Sequence, residues 1–308
     1  MTKTIKSESS PSLRISCIVN PLAANKKWQR RQNIKTYLQQ KLDCQIIDFQ
    51  KSKNHTIELA KKQSLQSEVI VAVGGDGTVA DVIQGLIEAQ RGKQTILGIL
   101  PLGSGNAFRK SLGIPKNFKK ALKIIKEMKV KEADLISIEG RTAGFVSIGA
   151  TAKVTQTKLE HKIPGLWGHL LASRILPFFR RQENELELIN GLEDSGQPFQ
   201  RKILKLKLFD CVVGKTNFFG YSWKVAPQAR IDDGYLDITL FETTGIKYIA
   251  VFPLIYFGLW QKSQKHFKAK KLIIRGQSLP IQYNGEWLGE RKEIQLEVLP
   301  RALKIISG

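Results

Sequence analysis

Over its first 140 residues the chain alternates short apolar runs with stretches whose apolar residues recur at helical spacing. "RISCIVN" reads as a strand followed by a helix-like stretch from Trp28 to Leu42, and "CQIIDF" with the stretch His55 to Gln66 repeats the pair. "EVIVAV" and "TILGILPL" are continuous apolar runs, as strands buried on both faces should be. After the first of these, Val79, Val82, Ile83, Leu86 and Ile87 fall on one helical face, and "FKKALKIIKEM" reads as another helix. Such strand–helix repetition predicts a parallel sheet covered by helices.

Beyond Gly140 the period changes. Leu204, Leu206 and Leu208 alternate with Lys205 and Lys207, the mark of a half-buried strand. "YLDITLFE", "KKLIIRG", "LPIQY" and "EIQLEVLP" continue in that style with turn residues between them, broken by one helix-like insertion, "GLWGHLLASRILPFFRR". The expected fold class is therefore α/β plus β: a flexible tail over 1–13, an α/β nucleotide-binding domain over 14–136, a mainly antiparallel β-rich domain over 137–295, and a last strand over 296–308 able to return to the first domain. Within "YNGEW", Asn284-Gly285 is a strong hairpin signal, because both residues tolerate positive φ.

Composition changes this picture in one respect. The proportions of hydrophobic (42%) and charged (25%) residues are ordinary for a globular protein, but 49 Lys+Arg against 27 Asp+Glu give a net charge of +22. Such a field attracts anions: nucleic acid, phospholipid headgroups or nucleotide phosphates. No RNA-recognition, zinc-finger or helix-turn-helix signature is present, so nucleic acid is not the expected partner. Cys17, Cys44 and Cys211 lie far apart in strand-like contexts, which suits core packing in a reducing, cytoplasmic setting. The polar N-terminus lacks the apolar segment of a signal peptide. The longest apolar run, Tyr248 to Trp260, is interrupted by Pro253 and Gly258 and falls short of the roughly 20 residues a spanning helix needs. A soluble or peripheral protein is expected.

Three strand ends carry candidate chemistry. In "VAVGGDGTVADVIQGL" a buried strand runs through glycines into an amphipathic helix, whose first N–H groups suit phosphate; Asp76 would then call for a bridging Mg²⁺. A glycine-rich turn with Asp76 or Thr78 as helix cap is the structural alternative. "LPLGSGNAF" repeats the arrangement with Gly103, Ser104, Gly105 and Asn106, and "VNPLAAN" supplies a third loop. At the C-terminal ends of neighbouring parallel strands, such loops converge on one crevice.

"GGDGT" from Gly74, "LPLGSGN" about thirty residues later and "VAPQARIDDGYLD" (Val225 to Asp237) occur in the order found in the diacylglycerol kinase catalytic-domain family, which the chain resembles from about Arg14 to Gly289. That family includes bacterial diacylglycerol kinase-like lipid kinases, sphingosine kinases and ceramide kinases. The resemblance implies an N-terminal domain like that of NAD kinase and phosphofructokinase, a β-sandwich domain, and a cleft where the γ-phosphate of ATP passes to a lipid hydroxyl. It assigns Gly74, Gly75, Asp76, Gly77 and Thr78 to nucleotide phosphates and Mg²⁺, with Gly103, Ser104, Asn106, Asn20 and Pro21 lining the same cleft. Ser104 stands where several members have Thr, Ala107 where some have an acid, and Ala24 where glycine is frequent. Asp232 and Asp233 match a segment that holds a structural metal in bacterial members; an acidic β-turn is the alternative.

The family's "DGE", whose aspartate is the candidate general base, corresponds here to "NGEWLG". An amide has no useful basicity, so Asn284 cannot take the proton. Glu286 is retained, and with Asn284 and Asp76 it makes up the candidate catalytic set. The readings are an ATP- and Mg²⁺-dependent lipid kinase of reduced activity, a non-catalytic lipid- or nucleotide-binding relative, and, further off, an NAD kinase. A lipid substrate implies peripheral contact with an anionic membrane, and association as a homodimer stays open. "GLWGHLLASRILPFFRR" sets Leu166, Trp167, Leu170 and Leu171 beside Arg174, Arg180 and Arg181, as an interfacial segment would. The run Tyr248 to Trp260, uniformly apolar, is expected instead to pack in the second domain's core. His266 is expected to be structural.

Overall fold

The computed structural model describes residues 13–20, 32–48, 53–102, 107–162, 165–219, 223–257, 259 and 264–308. The four apolar runs of the first half form parallel strands β1 (Ile15–Val19), β2 (Cys44–Asp48), β3 (Val69–Gly74) and β4 (Ile96–Pro101), in the order β4-β3-β1-β2. Every residue of β3 is buried because the strand is central and helices pack on the faces of the sheet, which is why that run carries no polar position. Helices α1 (Gln32–Leu42), α2 (Lys53–Ser64), α3 (Asp76–Glu88), α4 (Ala107–Ser111) and α5 (Phe118–Glu127) follow between and after the strands. Val79, Val82, Ile83 and Leu86 of α3 enter the core with β1, β3 and β4, as their spacing predicts. Gly85 lets α3 approach α2: a Cβ there would lie 2.5 Å from the Ile57 carbonyl.

The second half comprises β5 (Val130–Ile138), β6 (Arg141–Ala143), β7 (Phe145–Gly149), α6 (Ala150–Glu160), α7 (Gly165–Ala172), a 3₁₀ segment (Ser173–Phe178), β8 (Gln182–Glu193), β9 (Pro198–Leu208), β10 (Asp210–Gly214), β11 (Leu236–Phe241), α8 (Gly245–Phe257), β12 (Gln264–Tyr283) and β13 (Glu286–Ile306). Its strands pair antiparallel, and β12 folds the layer on itself by pairing with β11 at its start and β7 at its end. The expected order of an α/β part followed by a β-rich part is observed. Two strands run through both parts. Ala133 and Leu135 of β5 sit in the first core and Ile136 and Ile138 in the second; Leu303 and Ile305 of β13 sit in the first, Ile294 and Leu296 in the second. At its end β13 also pairs parallel with β4, Lys304 opposite Ile96.

Two expectations are corrected. "KKLIIRG" and "LPIQY" are not separate strands: β12 is continuous, and Gly276 to Ser278 form a register shift between Arg275 and Leu279 while β8 and β13 hold both flanks. Among the described residues the second half also holds three helices rather than one. The run expected to fill the core is α8, and only one of its faces is inside: Tyr248 and Ile255 join a third core with Phe209 and Phe241, while Ile246, Ile249, Leu254 and Phe257 face outward. Helical period, not overall hydrophobicity, decides which residues reach the core.

Asp210 is buried between β10 and α6, where the Thr151 hydroxyl donates to Oδ2 and the Thr151 N–H to Oδ1. Burial pushes its carboxyl up to about 7, against the effect of these donors. From about pH 4 to about pH 7 the unfolded chain therefore releases a proton that the folded chain keeps, and stability falls as pH rises. Asp210→Asn is expected to remove a fall of a few kcal/mol, read from urea unfolding at about pH 4 and about pH 8. Parallel pH profiles for variant and wild type would refute this.

Candidate active site

The ends of β1, β3 and β4 lie side by side, because the parallel register sets Val19 opposite Val73 and Gly74 opposite Pro101. The residues just past β1 and β4 are both tied to β3. The Asn20 N–H donates to the Val73 carbonyl at 3.0 Å, and the Leu102 N–H to the Gly74 carbonyl at 2.9 Å. Asn20 Nδ2 donates to Thr78 Oγ1 at 3.2 Å, which joins the first loop to the first turn of α3. Thr78 folds back over Gly74 so closely that a Cβ at Gly74 would meet its Oγ1 at 2.4 Å, so only glycine fits. A Cβ at Gly77 would meet nothing within 4 Å, so that position opens onto space.

The alternative of Asp76 or Thr78 as the cap of its own helix does not hold. Gly75 is the N-cap of α3, and no side chain caps it. Asp76 Oδ1 instead accepts the Ala107 N–H at 2.5 Å, at the start of α4. The carboxylate thus pins the second glycine loop's exit to the entry of α3, and an anion at this end would find first-turn amides not engaged by a capping side chain. Pro21, Gly103, Ser104 and Asn106, with the rest of the first loop, lie outside the described residues.

Asn284 and Gly285 form the expected two-residue hairpin between β12 and β13, with φ of +49° and +86° and Tyr283 opposite Glu286. The Asn284 side chain is part of the scaffold. Its Oδ1 accepts the Gly144 N–H at 2.9 Å, its Nδ2 donates to the Thr142 carbonyl at 3.1 Å, and its backbone N–H donates to the Phe145 carbonyl. An ionised aspartate would keep the first of these bonds and set its charge against the Thr142 carbonyl. Glu286 accepts the Tyr283 hydroxyl at 3.1 Å, and the Arg141 guanidinium lies 5.4 Å from the centre of the Tyr283 ring.

This hairpin faces α3 across a cavity of about 280 Å³, lined by Ala80, Asp81 and Gln84 on one side and Arg141, Asn284 and Glu286 on the other. Ala80 is one turn beyond Asp76, about 6 Å along the helix at 1.5 Å per residue. The stretch of α3 from Ala80 onward and the "NGE" turn therefore border one cleft between the two parts of the chain, which begins one turn past Asp76. Gln84 joins its walls: its Oε1 accepts both the N–H and the hydroxyl of Thr142, and its Nε2 donates to the Gly140 carbonyl. Gly144 permits the same closure from beneath, since a Cβ there would lie 2.5 Å from the Phe108 ring of α4. Gln84, Arg141, Thr142 and Tyr283 carried no signal in the sequence beyond a polar residue on a helix and the flanks of a turn.

Asp232 and Asp233 do not converge. Asp232 is half exposed, 3.7 Å from Arg230. Asp233 accepts Lys215 Nζ at 2.6 Å on one oxygen and Lys268 Nζ at 2.5 Å on the other. Burial by itself would raise the Asp233 carboxyl, but the two lysines outweigh it and hold it below the usual range. Lys215 is 0% exposed and also reaches the Tyr235 carbonyl at 2.6 Å and Asp134 Oδ2 at 3.1 Å. The acidic turn thus surrounds an internal ammonium. Among the described residues, no group of three or more His, Cys, Asp or Glu gathers as a metal site would. His266 packs beside β11, with Nδ1 3.2 Å from Thr239 Oγ1.

Residues 14–138 match the diacylglycerol kinase catalytic domain, and residues 195–307 match the YegS C-terminal NAD kinase beta sandwich-like domain. The diacylglycerol kinase of Staphylococcus carnosus (strain TM300) is 27% identical over 251 residues, covering 78% of this chain and 77% of that protein. That of Staphylococcus aureus (strain Newman) is 26% identical over 245 residues, covering 76% and 73%. The crystal structure of a diacylglycerol kinase from Bacillus anthracis str. Sterne shares the fold, with a TM-score of 0.73 over 97% of this chain and 98% of that one at 21% identity. With an α/β first part, a β-rich second part and both matches in that order, the chain carries a diacylglycerol kinase catalytic domain over 14–138 followed by a YegS C-terminal NAD kinase beta sandwich-like domain over 195–307.

Proposed function

We propose that this protein is an ATP-dependent lipid kinase that transfers the γ-phosphate to the hydroxyl of a diacylglycerol or sphingoid-like lipid. The observation that carries the reading is the cleft between Glu286 and the stretch of α3 that starts one turn past Asp76. In that reading the phosphates lie against Gly75, Gly77 and Thr78, with Asn20 holding Thr78 in place. Asp76 is the residue that would hold Mg²⁺, and the open side of Gly77 leaves room for the triphosphate. Mg²⁺, when bound, neutralises charge on the transferring group. The lipid oxygen bonds to the γ-phosphorus as the bond to the bridging oxygen of ADP breaks. The hydroxyl proton passes to Glu286, directly or through a water that it orients. Asn284 contributes position rather than basicity: its two side-chain bonds fix the turn that carries Glu286.

A non-catalytic relative is the second reading, favoured by the amide at 284. One assay separates the two: labelled ATP, Mg²⁺ and mixed lipids with the wild type, Glu286→Gln and Asn284→Asp. The kinase reading expects transfer by the wild type and a loss of about a hundredfold or more in Glu286→Gln. A silent wild type beside an active Asn284→Asp would establish the non-catalytic reading. Silence from all three would remove lipid phosphorylation altogether.

A further inference from the structure

α8 is apolar all round, yet among the described residues only one of its faces is buried. Between Gly245 and Phe257 its one charged residue is Lys247, and its outer face presents Ile246 (70% exposed) and Phe257 (64%) with Ile249 and Leu254. A helix with apolar residues on every side belongs in an apolar surrounding, and here half of it faces outward. The neighbouring helix does the same. Trp167 of α7 is 75% exposed, Phe178 of the 3₁₀ segment 84%, and Leu170 and Leu171 are exposed between them.

These exposed residues belong to adjoining elements. Gly245 packs so tightly on the 3₁₀ segment that a Cβ would lie 1.8 Å from the Leu176 carbonyl. Trp223 joins the other side, edge-on to His169 of α7 at 5.7 Å and to Phe252 of α8 at 5.1 Å. A surface with so many large apolar residues exceeds what a soluble monomer ordinarily leaves uncovered. Its charge is of one sign. No acid occurs from His161 to Gln182 or from Thr243 to Lys271, whereas Arg174, Arg180, Arg181 and Lys247 are all exposed there. A protein partner would need a matching acidic rim around an apolar centre, a combination that an anionic bilayer supplies over its whole surface.

We propose that α7, the 3₁₀ segment and α8 form a face that inserts into the headgroup region of an anionic bilayer and holds the active cleft against it. The link to the cleft is Ala107. Its N–H bonds Asp76, and its side chain lies in the same apolar core as Ala172, Leu176, Tyr248 and Ile255, the inner sides of these helices. This face is thereby connected through one apolar core to the residue proposed to hold Mg²⁺. In naming where the kinase meets its lipid the proposal rests on that function, but vesicle binding is read without phosphotransfer.

The test is flotation of the full chain with vesicles of phosphatidylcholine alone or mixed with phosphatidylglycerol. Wild type is compared with Trp167→Ser/Phe178→Ser, with Ile246→Ser/Phe257→Ser, with Arg180→Gln/Arg181→Gln and with the control Lys205→Gln/Lys207→Gln on β9. Circular dichroism confirms that each is folded. Wild type should bind the mixed vesicles and release partly as salt rises, with both apolar variants weaker by about tenfold or more. The Arg180/Arg181 variant should lose the salt-sensitive part, and the β9 control should bind as wild type. Wild-type binding by both apolar variants overturns the proposal, as does equal loss in both basic pairs, which would make net charge the whole cause. Wild type that ignores vesicles but sediments as a dimer, made monomeric by the apolar substitutions, assigns the face to a second copy instead. Phosphorylation of dioctanoylglycerol, which disperses without a bilayer, keeps the two claims apart: the face variants should retain it, and a wild type that lacks it defeats the kinase reading while leaving the vesicle result standing.

Discussion

Asp76→Ala will reduce phosphotransfer by on the order of a thousandfold, the scale of losing several kcal/mol of charge stabilisation in the transition state. The substitution removes two things at once, the carboxylate charge and the acceptor for the Ala107 N–H. Asp76→Asn separates them, since its amide oxygen can still take the Ala107 hydrogen bond. If the charge is what the reaction uses, Asn should be nearly as inactive as Ala while unfolding at the wild-type temperature. Full activity in Asp76→Asn would reduce Asp76 to a bracket between α3 and α4, and the proposed metal role would have to be abandoned.

The second large effect concerns stability. Lys215→Ala leaves Asp134 and Asp233 facing each other across a buried gap with one of two ammonium groups gone, and should cost about 3–5 kcal/mol. Its denaturant midpoint should fall accordingly. Replacing the whole cluster is a different matter: Lys215→Met with Asp134→Asn and Asp233→Asn removes the charges together, and should recover most of the loss. An unchanged midpoint in Lys215→Ala would mean that Lys268 alone compensates Asp233. The cluster also ties the middle of β5 to the acidic turn and to β13: Asp134 Oδ2 accepts the Gly234 N–H at 2.7 Å and Oδ1 the Arg301 N–H at 2.9 Å.

Much of this was legible from residue order. "EVIVAV" and "TILGILPL" announced central parallel strands, because a strand covered on both faces can hold no polar residue. The glycines after the first of them marked the turn into α3, and Asn284-Gly285 marked a hairpin of the right length. Other features were misread for identifiable reasons. Gly276 looked like a turn residue, yet cross-strand pairing on both sides kept β12 continuous through it. Asp232 and Asp233 looked like a pair, yet neighbours in sequence point different ways, and the distant Lys215 claims only the second. The run around Pro253 looked like core because its mean hydropathy is high, and hydropathy averaged over a helix does not say which face is covered.

The sequence by itself determined the succession of strands and helices in the first half, the glycine turn after β3 and the two-residue hairpin, since each rests on residues within a few positions of one another. Only the tertiary structure decided that Asp76 reaches Ala107, that Asn284 is consumed by the backbone of Thr142 and Gly144, that Gln84 spans the cleft, and that half of α8 is left outside. The physical reason is the same in each case. Local propensity acts over a turn or a strand, whereas a hydrogen-bond partner or a covering surface is supplied by chain far away in sequence, and no local pattern records which segment arrives.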